Sequence, residues 1–446
     1  VPNPHPHGYK FLANALTDHN LQQADRRSDK QISEVRHINE EADDMTGSIN
    51  LPSGTALPRR RVLQVAGIGG AAMVAAACGA GGGGGGTGAS ASGGVDVRTQ
   101  PDQSETEKEM VWSTWVQYID EDDDGNRPTL DRFVQETGIA VDYREDINDN
   151  AEFYAKVRPQ LEAGQDIGRD IVVLTDWMAA EWIRSGYAQD FDRDQVPNSG
   201  NMIQRLKGIP FDPERNLTLP WQSGYAGLGF NSKTLESLTG KKELKTVEEL
   251  WDPALKGRVT ILSEMRDSVG LMMLAQGNDP SEFTEDQFNE AIAALQEQID
   301  NGQIRQVTGN DYLTALETGD VVAAFGWSGD VVALGGPFGF NIPESGGTLW
   351  TDNMLVPAMA RHLGNAQKLM DYYYDPEVAA EVAAWVQYIC PVEGAREAME
   401  KIDPELVDNK YIFPTEEDLN NVSVFMSLTP SEQGSYDQAF QTLIGN

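Results

Sequence analysis

"RDIVVLTD", residues 169–176, is an unbroken apolar run from Ile171 to Leu174 with charge on either side. A strand of this kind has no polar face to offer water, so it belongs inside a sheet covered on both faces. Its neighbours agree. "EMVWSTWV" (109–116) reads as an opening strand, "RPTLDRFVQETG" (127–138) as a helix closed by Gly138, and "IAVDYRED" (139–146) as a second strand. "AEFYAKVRPQLEAG" (151–164) and "WMAAEWIRSGYA" (177–188) read as helices on either side of the apolar run. Strand–helix–strand order with short connections predicts a parallel sheet carrying helices on both faces. Ligands bind such sheets outside the carboxyl ends of the strands.

A second α/β block starts after "LTLPWQSGYAGLGFN" (217–231). It holds "WDPALKGRVTILSEMRDSVGLMML" (251–274), a helix in "TEDQFNEAIAALQEQI" (284–299) and a strand in "DVVAAFGWSGD" (320–330). "WTDNMLVPAMA" (350–360) begins another strand, followed by helices in "NAQKLMDYYYD" (365–375) and "EVAAEVAAWVQYI" (377–389). The expected architecture is two α/β lobes with a cleft between them, in keeping with the length of chain available.

The N-terminal part reads differently. "RRRVLQVAGIGGAAMVAAACG" (59–79) joins adjacent arginines to a short apolar run and a cysteine. The run falls short of the roughly 20 apolar residues a spanning helix needs, and its glycines disfavour a buried helix. Arg59-Arg60-Arg61 followed by Val62-Leu63-Gln64 resembles a twin-arginine export signal, and Ala75-Ala76-Ala77-Cys78 resembles a lipobox. That resemblance makes Cys78 the lipidated first residue of the mature chain. The Gly/Ala/Ser-rich run that follows has the composition of a flexible tether. Residues 1–77 are therefore set apart from the fold, as are residues 78–108 as a linker; Val1 or Met45 marks the start of translation.

Composition narrows the function. The net charge of −36 falls wholly on the part after residue 77, which carries 26 basic and 62 acidic residues. Such a chain does not bind nucleic acid, because that binding depends on neutralising phosphates with lysine and arginine. Once Cys78 is lipidated, Cys390 is left alone and no internal disulfide forms. Four of the five histidines (His5, His7, His19 and His37) precede the signal. The remaining one, His362, approaches a helix and is expected to be solvated. No metal site, cofactor or His-based catalytic triad is expected. The acidic run Asp120 to Asp124 lacks the downstream glutamate of a calcium loop and reads as a solvated turn.

Eight pieces in one order resemble the spermidine/putrescine-binding proteins of bacterial ABC importers: the opening strand with "WVQY", "FVQETGI", "DIVVLTDW", "LTLPW…GLGFN", "LWDPALKGRV", "WSGD", "GGTLWTDNMLVP" and "DPEVAAEVAAWVQY". They span nearly all of residues 109–446. The resemblance implies a two-lobe periplasmic-binding-protein fold of type II, with crossover hinge strands near Gly224, Trp350 and Arg396. Lobe 1 would comprise 109–224 plus 351–396, and lobe 2 would comprise 225–350 plus 397–446. It implies a monomer that captures a polyamine outside the membrane, at the outer face of the cytoplasmic membrane or in the periplasm. That monomer would be held by its lipid anchor and would deliver to a permease and its ATPase, without catalysing a reaction.

The family's ligand-binding pattern falls on Trp115, Tyr118, Thr175, Trp177, Glu264, Asp267, Trp327, Trp350, Asp352 and Tyr388. Thr175 and Trp177 stand where the pattern has serine and tyrosine. Glu264 and Asp267 exchange the commoner order, and Met426 stands nearest the position of a glutamine. The chemistry is coherent: aromatic faces cover methylenes and attract ammonium groups, while carboxylates meet the buried charge. Asp352 is expected at one amine, with Glu264 and Asp267 at another and Asp176 as a further contact. Trp182, Trp251 and Trp385 are read as core. Two alternatives stay open: the same fold binding a sugar or another organic cation, and a glycoside hydrolase built on Glu264 and Asp267.

Overall fold

The computed structural model describes residues 97–445. The N-terminal extension, the twin-arginine stretch, Cys78 and the linker up to residue 96 lie outside the described residues. Ten strands occur: β1 (Glu109–Trp115), β2 (Ala140–Ile147), β3 (Ile171–Thr175), β4 (Thr218–Asn231), β5 (Val259–Leu262), β6 (Ile304–Thr308), β7 (Ala323–Trp327), β8 (Phe338–Asn341), β9 (Gly347–Leu355) and β10 (Val422–Ser423). The α-helices of the first half are α1 (Pro128–Thr137), α2 (Asn150–Glu162), α3 (Asp176–Arg184), α4 (Ser232–Thr239) and α5 (Met265–Ala275). Those of the second half are α6 (Glu285–Asp300), α7 (Tyr312–Thr318), α8 (Ser328–Leu334), α9 (Leu363–Tyr373), α10 (Pro376–Val386), α11 (Ala395–Ile402) and α12 (Pro430–Ile444).

Local sequence explains the elements. Pro128 sits in the first turn of α1, and Gly138 ends the helix in a left-handed conformation (φ 69°), with its N–H returning to Val134. Asp149 caps α2 by accepting from the Glu152 N–H, and Phe153, Val157 and Leu161 form its buried stripe. The four apolar residues of β3 are fully buried, as a strand with two covered faces must be.

The strands run in the order β2-β1-β3-β9-β4-β7-β5-β6, with β10 added to β9 and β8 to β4. Pairings within β2-β1-β3 and within β7-β5-β6 are parallel. The expectation of a parallel sheet fails in the middle: β9 is antiparallel to β3 and to β4, and β4 is antiparallel to β7. The cause is "LTLPWQSGYAGLGFN", which reads as a boundary but forms the 14-residue strand β4. Paired along most of their length, β4 and β9 carry the chain between two α/β lobes. Gly224 lies opposite Trp350 in this ladder, and Ser223 exchanges hydrogen bonds with Ile389 as the chain passes a third time.

His362 is not solvated. It is buried, with Nδ1 3.0 Å from Asp170 and Nε2 3.0 Å from Glu107, and the two carboxylates hold its pKa above the ordinary value despite burial. The residues before β1 bring Glu107 there. The Gln103 N–H donates to the Arg361 carbonyl, and the Gly364 and Asn365 N–H groups at the start of α9 donate to Asp102 and Ser104. Glu109 also approaches, so that it, Glu107 and His362 place ligand atoms within 4.8 Å of one another, although both ring nitrogens are already engaged. In the acidic run, Asp120 is buried against Thr129, while Asp122 closes an exposed turn with Asn126. Trp182 is fully buried, and Trp251 and Trp385 pack half-buried against the core.

Candidate ligand-binding site

The carboxyl ends of β1, β3, β5 and β7 face one cavity of about 530 Å³, with the middles of β4 and β9 between them. All ten residues picked out by the sequence pattern line it, as do Asp176 and Met426.

Asp352, on β9 beside β3, is the centre of one group. Tyr118 Oη donates to one carboxylate oxygen and Thr175 Oγ1 to the other, each at 2.7 Å. Burial pushes its pKa up to about 7, more than the two hydroxyls restrain it. The neighbouring Asp176, also raised by burial to about 6, accepts from Asn353 Nδ2 at 2.7 Å.

A second group was not picked out from the sequence as a site. Asp330, at the start of α8, accepts from Tyr388 Oη at 2.6 Å, Asn310 Nδ2 at 3.0 Å and Tyr312 Oη at 3.2 Å, and burial raises it to about 6. The Asn310 side-chain amide oxygen, Oδ1, is buried and accepts no hydrogen bond from the protein. "WSGD" contains Asp330 but was read for its tryptophan; Asn310 gives no local signal. Tyr388 lies close against the backbone at two glycines: a Cβ on Gly224 would come 2.7 Å from its ring and 2.5 Å from Trp350, and one on Gly329 would come 2.6 Å from it.

Glu264 and Asp267, three residues apart at the start of α5, both line the cavity and hydrogen-bond to different partners. Asp267 accepts from Trp327 Nε1 at 2.9 Å and Thr348 Oγ1 at 2.7 Å. Glu264 accepts from the backbone N–H and the side-chain amide of Asn150, at 3.1 and 2.8 Å, at the first turn of α2. Burial and the nearby Asp149 raise Glu264 strongly. Between them in sequence, Arg266 lays its guanidinium 4.1 Å from the Trp177 ring centroid and donates to Gln433 on α12. Met426, nearest the position of the family's glutamine, lines the cavity together with Gln433.

The aromatic residues line the cavity in two groups. Trp115 meets Trp327 edge-on at 6.1 Å, Trp350 meets Tyr388 at 5.1 Å, and Tyr118 meets Tyr388 at 5.7 Å. Ring faces beside buried carboxylates suit a ligand with positive charge on nitrogen and apolar carbon between.

The chain is similar to known proteins over most of its described length. A family model described as bacterial extracellular solute-binding protein matches residues 129–413, and the chain belongs to that family. It is 24% identical over 315 residues to the spermidine/putrescine-binding periplasmic protein of Escherichia coli K12, covering 70% of this chain and 85% of the relative. It is 25% identical over 320 residues to the putrescine-binding periplasmic protein PotF of the same organism, covering 67% and 81%. Among solved structures, a putative spermidine/putrescine ABC transporter protein from Listeria monocytogenes shares the fold with a TM-score of 0.65 at 22% identity, over 76% of this chain and 99% of that one.

Proposed function

We propose that this chain is the solute-binding component of an ABC importer, capturing a polyamine outside the membrane and delivering it to a permease driven by its ATPase. One observation carries the reading: two buried carboxylates, Asp352 and Asp330, stand in an aromatic-walled cavity with their protein partners limited to hydroxyl and amide donors. An ammonium group supplies both the missing charge and N–H donors. Trp115, Trp327 and Trp350 cover the methylenes, at roughly 0.8 kcal/mol per buried CH₂. The working unit is a monomer with lobe 1 at 109–224 plus 351–396 and lobe 2 at 225–350 plus 397–446, hinged on β4 and β9 and anchored through lipid on Cys78. Among the described residues no helix is long and apolar enough to cross a membrane. The chain performs no chemistry on its ligand.

The test is calorimetric titration of the full chain with putrescine, spermidine, glucose and thiamine, repeated with Asp352→Ala. Removing one partner of a buried hydrogen-bonded charge pair costs about 2–5 kcal/mol, so polyamine affinity is expected to fall at least thirtyfold. Heat from glucose or thiamine but from neither amine would retain the family and refute the ligand.

A further inference from the structure

Outside the cavity, one cluster of side chains is built like a metal site. Glu107, Glu109 and His362 each bring a ligand atom within 4.8 Å of the others, and none of the three lines the cavity. Glu107 and Glu109 alternate with Lys108 where the chain enters β1, the spacing that puts two side chains on one side of an extended segment. His362 meets them from the position just before α9.

The surroundings hold each group in place. One Asp170 oxygen accepts from the His362 backbone N–H at 3.0 Å, and the other lies 3.0 Å from Nδ1 and accepts from the Val111 N–H at 2.8 Å. With Nδ1–H turned to a carboxylate, Nε2 is the nitrogen presented to the glutamates, which is how a histidine ligates a metal. Asn365, fully buried on α9, donates through Nδ2 to the backbone carbonyls of Glu107 at 2.8 Å and Glu109 at 3.0 Å, so both glutamates are clamped to the helix that His362 precedes. Among the described residues no lysine or arginine forms an ion pair with Glu107, Glu109 or Asp170; three carboxylates share one imidazole. The contact between Nε2 and Glu107 does not close the site, because Glu107 is itself a ligand. Two donors on a tetrahedral zinc ion stand about 3.3 Å apart. Nε2 and the Glu107 oxygen are already 3.0 Å apart.

We propose that Glu107, Glu109 and His362 bind a zinc ion, with Asp170 as the positioning residue behind the ring and water completing the coordination. Zinc takes the Nε2 lone pair, and the proton held between ring and carboxylate leaves to solvent. Imidazole with carboxylates suits zinc better than calcium or magnesium, which take oxygen donors alone. The bound ion fastens the segment before β1 to the start of α9. Composition argued against a metal site because His362 stands alone after residue 77, and its carboxylate neighbours Asp170 and Glu107 are 192 and 255 positions away.

Calorimetric titration of the chelator-treated full chain with Zn²⁺, Ca²⁺ and Mg²⁺ tests this, beside Glu109→Gln and His362→Gln. His5, His7, His19, His37 and Cys78 are common to all three chains, so the reading is the difference between them. Each variant is expected to lose one tight Zn²⁺ site, or at least tenfold of its affinity, and Ca²⁺ and Mg²⁺ are expected to bind at least a hundredfold more weakly there. Zn²⁺ in excess is expected to raise the melting midpoint of the unaltered chain by at least about 2 °C more than that of Glu109→Gln. Should His362→Gln fail to fold, Glu109→Gln decides the matter, since Glu109 is exposed and its side chain supports no other element. Equal zinc uptake and equal melting shifts in the unaltered chain and Glu109→Gln overturn the proposal, as does a site that prefers Ca²⁺ or Mg²⁺.

Discussion

Asp352 sits in the cavity wall with two hydroxyls as its hydrogen-bond partners, and its raised pKa expresses that environment. With Asp352 near 7 and Asp330 near 6, the ligand-free site holds protons at mild acidity that a cationic ligand must displace. Affinity is therefore expected to climb between about pH 5 and pH 8, with proton release on binding. Titrations in two buffers of different ionisation enthalpy measure the release directly; equal heats in both, with affinity flat across that range, would refute this linkage. Asp352 was legible in the sequence because a carboxylate opening an apolar strand has little structural use. The pairings around the cavity were not, since Tyr118 and Asp352 are 234 positions apart and Asn150 and Glu264 are 114 apart. Such pairings arise only when strand order is known. Asp330, Asn310 and Arg266 went unremarked for the same reason: each owes its place in the cavity to contacts between distant elements.

The strands of each lobe were legible wherever burial dictates composition, as in β3, and the helices wherever caps and apolar periodicity coincide, as in α1 and α2. The strand β4 was not, because glycines at 224, 227 and 229 imitate a loop. Their purpose is close approach. At Gly224 a methyl group would meet Trp350 at 2.5 Å and Tyr388 at 2.7 Å, and the Tyr388 ring also packs closely on Gly329. Gly224→Ala is expected to destabilise by about 1–3 kcal/mol and to weaken ligand binding as well. Gly434→Ala on α12, where nothing lies within 4 Å of the added carbon, is expected to stabilise by about 0.5–1 kcal/mol. Thermal melts of the two variants should therefore move in opposite directions; a shared direction would discount the steric account. His362 misled for a different reason: its burial depends on the segment before β1 folding back over α9, which the polar composition of 100–108 does not announce.

Across the whole molecule, the raised carboxylates couple ligand, protons and stability. Asp352, Asp330, Asp267 and Glu264 all have folded pKa values above their ordinary ones, chiefly through burial. Between the ordinary values and the raised ones, the folded chain binds more protons than the unfolded chain, so stability falls as pH rises through that window. The raised His362 acts in the same sense: its contribution is complete below the ordinary histidine value and is lost as pH rises through the folded one. Urea midpoints of the ligand-free chain are expected to be higher at pH 5 than at pH 8, and a saturating polyamine is expected to narrow or reverse the difference. A ligand-free midpoint that rises with pH would contradict this. Contacts between the lobes belong to the same system. Asn150 meets Glu264, Ser263 Oγ donates to Asp149 at 2.8 Å, and the Asn310 N–H donates to Asn148 at 3.2 Å. The start of α2 therefore lies against the residues that follow β5.

The docking of residues 100–108 on α9 has a mechanical consequence. Chain entering from the N-terminal side transmits its pull through Gln103 and Glu107 into Arg361, His362 and β1, all on the side of the β2-β1-β3 group. A pull arriving from the N-terminal side is thus received on the β2-β1-β3 group rather than on β7, β5 or β6.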